Sequence, residues 1–242
     1  MNNLHRPLTA YIEKEVLPRY NGFDPAHRLD HVQEVIRMSL QLAAHYNVDP
    51  NMVYTIAAYH DTGLCGGREE HHMLSGKILR EDVVLRGFLL PDNSCSTGGD
   101  CPASCSGKRP LFTPAQIETM AQAVEDHRAS SSHAPRSIYG RIVAEADRII
   151  DGPTIVRRTI QYGLSHYPEL DKEGHYLRFL EHMAEKYADG GYLKLWIPES
   201  PNAARPAAFQ EILKDPAATR EMFEREWGNV NLLPQKKSLH HT

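Results

Sequence analysis

No stretch of the 242-residue sequence is apolar for long enough to cross a membrane. The opening residues, MNNLHRPLTAYIEKEV, hold no signal-peptide core. A cytoplasmic protein without a membrane partner is therefore expected. Excess positive charge is also missing. The 27 basic side chains against 31 acidic ones leave a net charge of −4, which argues against binding the backbone of a nucleic acid. Cysteines number four, Cys65, Cys95, Cys101 and Cys105. None forms a CxxC pair, and without an export signal their even count does not imply disulfides. Strand patterning is nearly absent: only 191–197 (GYLKLWI) reads as a strand, ended by Pro198. Internal repeats are lacking too. A hydrophobic fraction of 41% and a charged fraction of 24% are those of an ordinary globular chain and argue against wholesale disorder.

Amphipathic helical patterning fills most of the chain. Residues 7–19 place Leu8, Tyr11, Ile12, Val16 and Leu17 on one face and are expected to stop at Pro18. Residues 30–46 carry Val32, Val35, Ile36, Ser39, Leu40 and Ala43 at the 3.6-residue period of a core-facing helix. Further helices are expected over 50–60, opened by Asp49-Pro50, and over 69–85, 114–127, 137–150, 153–163, 173–188 and 203–214. The fold class is all-α. The length fits one helical domain. Residues 91–110 (PDNSCSTGGDCPASCSGKRP) interrupt the pattern with a Cys/Gly/Ser-rich segment, longer than an ordinary connection. Its Cys-x5-Cys-x3-Cys spacing offers three soft ligands at most. A solvent-exposed insertion is the expectation, with a structural zinc as the other reading.

What the sequence has in excess is histidine, fourteen in all. His31 shares a helix face with Val35, Met38 and Leu42. His60 shares one with Val53, Ile56 and Ala57, and His127 follows Met120, Ala123 and Val124. Asp147 lies beside Val143 and Ile150, so its carboxylate points toward the core. A single histidine on an apolar face is ordinary packing. An aspartate there is not, because an unpaired buried carboxylate costs several kcal/mol. A dication removes that cost by pairing with the carboxylate and accepting neutral imidazole nitrogens. His60 and Asp61 are consecutive, and consecutive helix residues point about 100° apart. Both reach one metal only near a helix end, which Gly63 and the Gly66-Gly67 pair place just after Asp61.

Asp30-His31-Val32, Ala58-Tyr59-His60-Asp61-Thr62-Gly63 and Ala144-Glu145-Ala146-Asp147-Arg148-Ile149 together resemble the HD superfamily of metal-dependent phosphohydrolases, over about residues 24–150. The resemblance implies a helical bundle with a C-terminal extension over 151–242, and metal ligands at His31, His60, Asp61 and Asp147. Some branches of that superfamily add two histidines and hold a dinuclear centre bridged by the aspartate of the dyad, here Asp61, the expected catalytic residue. Glu70-His71-His72-Met73-Leu74-Ser75-Gly76 resembles the first added site, where a histidine precedes a glycine by four residues, which selects His72. Helix-face arithmetic favours His71 instead, in line with Leu74 and Ile78. His72 is the ligand expected. Glu125-Asp126-His127-Arg128 resembles the second added site and selects His127. Four nitrogens and two carboxylates suit one or two ions of iron, manganese, cobalt or zinc rather than magnesium. The cyclic-dinucleotide branch carries a longer glycine- and tyrosine-containing signature after that histidine. Here Ala129-Ser130-Ser131-Ser132 follows, which speaks against cyclic di-GMP hydrolysis.

The implied activity is hydrolysis of a phosphoester, in a nucleotide or a small phosphorylated metabolite, by metal-activated water. Arg128 and His27 are the expected substrate contacts. Arg148 and Lys77 also start near ligand positions, although surface charge accounts for them better. His133, His166, His175 and His182 have no partner pattern and read as surface or packing. Two other readings of the same ligand set stay open: a di-iron HD-type oxygenase, and a non-catalytic module that binds a nucleotide or metal.

Overall fold

A computed structural model describes residues 4–91, 108–148, 151–188, 190–202 and 205–232. The all-α fold is borne out: helices dominate and strand is almost absent. The chain divides into two compact units between Asp147 and Arg148. Cys95, Cys101 and Cys105 lie outside the described residues, so the two readings of their segment rest on sequence alone. Among the described residues, no helix is long and apolar enough to cross a membrane.

The first unit is assembled around α3 (Pro50–Tyr59), in which every side chain from Met52 to Tyr59 is buried. Fully burying each large apolar side chain of this kind stabilises the fold by about 1.5–3 kcal/mol. The helix starts where Asp49 accepts the Asn51 N–H at 2.8 Å and Pro50 occupies its first turn. Against it pack α2 (Leu29–Ala43), α6 (Pro114–Glu125) and α7 (Ile138–Ala146). The α2 core stripe runs His31, Val35, Met38 and Leu42, as the sequence period predicts. A capping box between Thr113 and Gln116 opens α6, and the Ser137 hydroxyl opens α7. The fourth helix, α4 (His71–Glu81), lies along α6 and along a 3-10 turn at Thr62–Gly66. Two glycines allow those approaches. A Cβ on Gly63 would lie 2.1 Å from the His71 carbonyl oxygen, and one on Gly76 2.7 Å from Glu125 Cγ.

Three local departures from expectation have physical causes. The first helix does not stop at Pro18. After α1 (Arg6–Tyr11), a π-turn over Ile12–Val16 and a 3-10 turn over Leu17–Gly22 carry the chain on. Pro18 sits in the first turn of that 3-10 segment, where its missing N–H removes no helical bond. The helix expected over 69–85 breaks at Asp82, giving α4 and α5 (Val83–Gly87). The Asp82 carboxylate accepts the Val84 N–H together with the hydroxyls of Tyr11 (2.6 Å) and Tyr59 (2.5 Å), and that set of donors holds the residue extended. A short antiparallel hairpin, β1 (Leu89–Pro91) with β2 (Lys108–Pro110), was not expected. Three residues per strand are too few to leave an alternation in the sequence.

The second unit comprises α8 (Gly152–His166), α9 (Lys172–Lys186), α10 (Arg205–Leu213) and α11 (Pro216–Leu232). Ile155, Val156, Ile160, Phe179, Met183, Tyr187, Phe209, Met222 and Phe223 form its core. The strand expected over 191–197 is absent; the segment is irregular. The N–H groups of Tyr192 and Leu193 donate to the Glu185 and Lys186 carbonyls at the end of α9, so that helix supplies the partners a neighbouring strand would have given. The sequence reading contains no helix at 216–232. There Thr219, Met222, Phe223 and Glu226 form the buried stripe, and the acid among them, paired with Arg157, disguises the apolar period.

Candidate metal centre

Helix geometry delivers six side chains of the first unit to one place. His31 lies in the first turn of α2, His60 caps the C-terminus of α3, and Asp61 follows in a non-helical conformation. His71 opens α4, His127 comes two residues after α6 ends, and Asp147 caps the C-terminus of α7. The helix end needed for the His60-Asp61 dyad is therefore present. The donor atoms sort into two groups, His31/His60/Asp147 and Asp61/His71/His127.

In the first group, His31 Nε2 is 3.3 Å from His60 Nε2 and 3.2 Å from Asp147 Oδ1, and His60 Nε2 is 3.8 Å from Asp147 Oδ1. In the second, Asp61 Oδ1 is 3.3 Å from His71 Nε2 and 3.4 Å from His127 Nε2, which are 3.2 Å from each other. The other oxygen of Asp61, Oδ2, faces the first group, 3.1 Å from His60 Nε2 and 3.5 Å from His31 Nε2. Asp61 thus offers one carboxylate oxygen to each group. Ligands about 2.1 Å from a common ion stand about 3.0–3.4 Å apart in octahedral or tetrahedral geometry. Most of the observed separations fall in or close to that interval.

Three of the four imidazoles are presented in one tautomer. His60 Nδ1 donates to the Ala57 carbonyl (2.8 Å), His71 Nδ1 to that of Arg68 (2.7 Å) and His127 Nδ1 to that of Val124 (2.6 Å). Each bond leaves the Nε2 lone pair aimed into the cluster, the usual orientation of a metal-ligating histidine. His31 differs, since its buried Nδ1 has no partner among the described residues. The charges are mutually dependent. Burial alone would push the His31 imidazole down, but the Asp147 and Asp61 carboxylates hold it up at about 9. His60 is likewise raised, chiefly by Asp61, against its burial. Burial opposes ionisation of Asp61 and Asp147, yet the surrounding histidines keep both carboxyls well below the usual range. His127, fully enclosed, is pushed down by burial. Buried carboxylates that depend on cationic imidazoles are a donor set that a divalent ion would satisfy directly.

His72, expected from the histidine-to-glycine spacing, is not among the converging donors. It sits one residue further along α4, turned by the helical rotation, and its buried Nδ1 has no hydrogen-bond partner among the described residues. Burial and the neighbouring His127 push its pKa down. His71, the choice of helix-face arithmetic, stands in its place. Gly76 has a different role, admitting Glu125 and the Ala121 carbonyl against α4.

Around the cluster, His27 stacks edge-on against His31 at 5.6 Å between ring centres, and its Nδ1 lies 2.9 Å from the Asp24 carboxylate. The same carboxylate pairs with Arg68 at 3.2 Å. Arg128 donates from Nη1 to the Glu69 carbonyl at 2.5 Å, so part of its guanidinium fastens the loop before His71. Lys77 is 3.9 Å from Glu81, an exposed pair on the helix. Sequence reasoning missed the ionic frame behind His127. Arg136 binds Glu125 and Asp126, and Arg80 binds Glu118 and Glu125. These partners come from separate segments, and no local spacing joins them. Side-chain exposure is 22% at Asp147, 19% at His27 and 13% at His71, against 0–3% for His31, His60, Asp61 and His127. The cluster therefore meets solvent on the side of Asp147, His27 and His71.

The sequence matches the HD domain family over residues 28–150, slightly more than half of the chain. The chain belongs to the HD domain family. All six converging donors lie inside the matched region. Members of the family are mostly metal-dependent phosphohydrolases. Neither curated proteins nor solved structures gave a match to the chain.

Proposed function

We propose that this HD domain is a metal-dependent phosphohydrolase with a dinuclear centre, acting on a nucleotide or another small phosphoester. The observation that carries the reading is the division of the Asp61 carboxylate, one oxygen toward His31, His60 and Asp147 and the other toward His71 and His127. His31, His60, Asp61 and Asp147 would hold one ion, and Asp61, His71 and His127 a second. Two nitrogen-rich sites of this kind suit iron, manganese, cobalt or zinc. Bound divalent ions supply acidification of a water molecule and neutralisation of charge on phosphoryl oxygens.

The chain's own groups complete the assignment. The substrate approaches from the solvent-facing side, at Asp147, His27 and His71. His27, oriented through Nδ1 by Asp24, presents its other ring nitrogen as a hydrogen-bond partner for a phosphoester oxygen. Arg128, next to His127 in the chain, would be the cation for phosphate, through the guanidinium nitrogens that the Glu69 carbonyl does not engage.

The test is phosphate release from a panel of nucleotides and small phosphoesters. Wild-type protein loaded separately with manganese, iron and zinc is compared with Asp61→Ala. Release by wild type, falling at least about 100-fold in the variant while helical circular dichroism is retained, supports the proposal. Full release by Asp61→Ala overturns the site. No release with any metal, together with oxygen consumption by the iron form on substrate addition, favours the oxygenase reading.

A further inference from the structure

We infer that Tyr20 is a positioning residue of the metal centre: its hydroxyl ends α3 at the point where His60 and Asp61 must face different donor groups. The inference rests on the metal-site reading above and adds a residue outside the sequence motif.

Tyr20 is fully buried, in the 3-10 turn Leu17–Gly22 that precedes α2. Its hydroxyl donates to the Ala58 carbonyl at 2.9 Å and accepts the Asp61 N–H at 3.2 Å. In a continuing α-helix the Asp61 N–H would go to the Ala57 carbonyl and the Ala58 carbonyl would take the Thr62 N–H. Here the Ala57 carbonyl accepts from the His60 side chain, and Tyr20 takes up both the freed N–H of Asp61 and the freed carbonyl of Ala58. A single phenol thus satisfies two backbone groups that helix termination exposes in a buried place, where leaving either unpaired costs about 1–3 kcal/mol.

The consequence for the site is directional. Released from helical geometry, Asp61 has φ −109° and ψ 5°, and its two oxygens reach the two donor groups. The ring of Tyr20 also packs beside that of His60, 6.2 Å between centres, and edge-on to Phe23 at 5.3 Å. The hydroxyl controls the backbone of the dyad, and the ring supports the imidazole. Phenylalanine would keep the second function and lose the first.

The experiment titrates metal-free full-length protein with cobalt(II). Affinity is read by chelator competition, and ligand geometry by the visible absorption of the bound ion. Tyr20→Phe is compared with Tyr11→Phe, which removes a phenol bond to Asp82 elsewhere in the same unit. Tyr20→Phe is expected to weaken cobalt binding by about 10–100-fold and to change the visible spectrum, while Tyr11→Phe matches wild type. Wild-type affinity and spectrum in Tyr20→Phe would overturn the inference, and so would an equal loss in Tyr11→Phe, which would mark general loosening. Failure of the wild-type protein itself to bind cobalt would remove the metal-site reading, and this inference with it.

Discussion

Histidine is buried in both units of the molecule, with opposite surroundings. In the first unit, His60, His71 and His127 each spend one ring nitrogen on a backbone carbonyl and aim the other at neighbouring donors. In the second, His175 is 2% exposed, and neither ring nitrogen has a hydrogen-bond partner among the described residues. It lies against the Trp227 ring at 5.5 Å, with Gly163 of α8 close to Nδ1. Burial therefore does not distinguish a ligand from a packed side chain. What does is carboxylates where a ring nitrogen points, joined at His60, His71 and His127 by a carbonyl that fixes the tautomer.

The largest expected effect breaks this comparison within two adjacent residues. His71→Ala should remove the metal held with Asp61 and His127, cutting the stoichiometry of bound ions measured by elemental analysis. His72→Ala should leave it unchanged. Loss in His72→Ala alone would restore the ligand expected from the spacing. Next in size is Gly63→Ala. Its Cβ would meet the His71 carbonyl, the Ser75 N–H that follows in α4 and the Ser75 hydroxyl, which now accepts the Gly63 N–H at 2.7 Å. Overpacking of this kind costs about 1–3 kcal/mol. Chemical denaturation should show that loss together with weaker metal binding, because α4 carries His71.

The second unit is expected to respond to acid through its own histidines. Burial, with Lys186 and Arg178 nearby, pushes His182 down to about 4 from an ordinary value near 6.5. Below pH 6.5 the unfolded chain then takes up a proton that the folded chain refuses until about pH 4, so stability declines as pH falls through that window. Hydrogen-exchange protection of α9, corrected for intrinsic rates, should fall between pH 6.5 and 4, and His182→Gln should flatten the profile. The smallest effect is His175→Leu, which exchanges two unpaired nitrogens for an apolar group. A gain of about 1 kcal/mol is expected, with no change in bound metal, checked by denaturation and elemental analysis.

Much of the fold and of the site was legible in the sequence because both are helix-periodic. His31 with Val35, Met38 and Leu42, and His127 behind Met120, Ala123 and Val124, lie on faces that the 3.6-residue period already selects. The dyad at a helix end followed from the 100° step between neighbours. The choice between His71 and His72 was harder, because both open α4 and the nearby glycine answers to the contact with α6. Asp82 was unreadable for another reason: its partners Tyr11 and Tyr59 are 71 and 23 residues away. Tyr20 shares that obscurity, acting 38 and 41 residues from its own position.

The carbonyls that orient His60, His71 and His127 belong to Ala57, Arg68 and Val124, each three residues earlier in the chain. No side chain takes part, so drift at those three positions does not touch the tautomer as long as the backbone path is kept. A mutational scan would score Ala57, Arg68 and Val124 for packing or charge and pass over their part in orienting the imidazoles. Orientation that other metal proteins keep by retaining a particular acid or amide is here inherited with the backbone path, helical at Ala57 and Val124 and bent at Arg68 before α4.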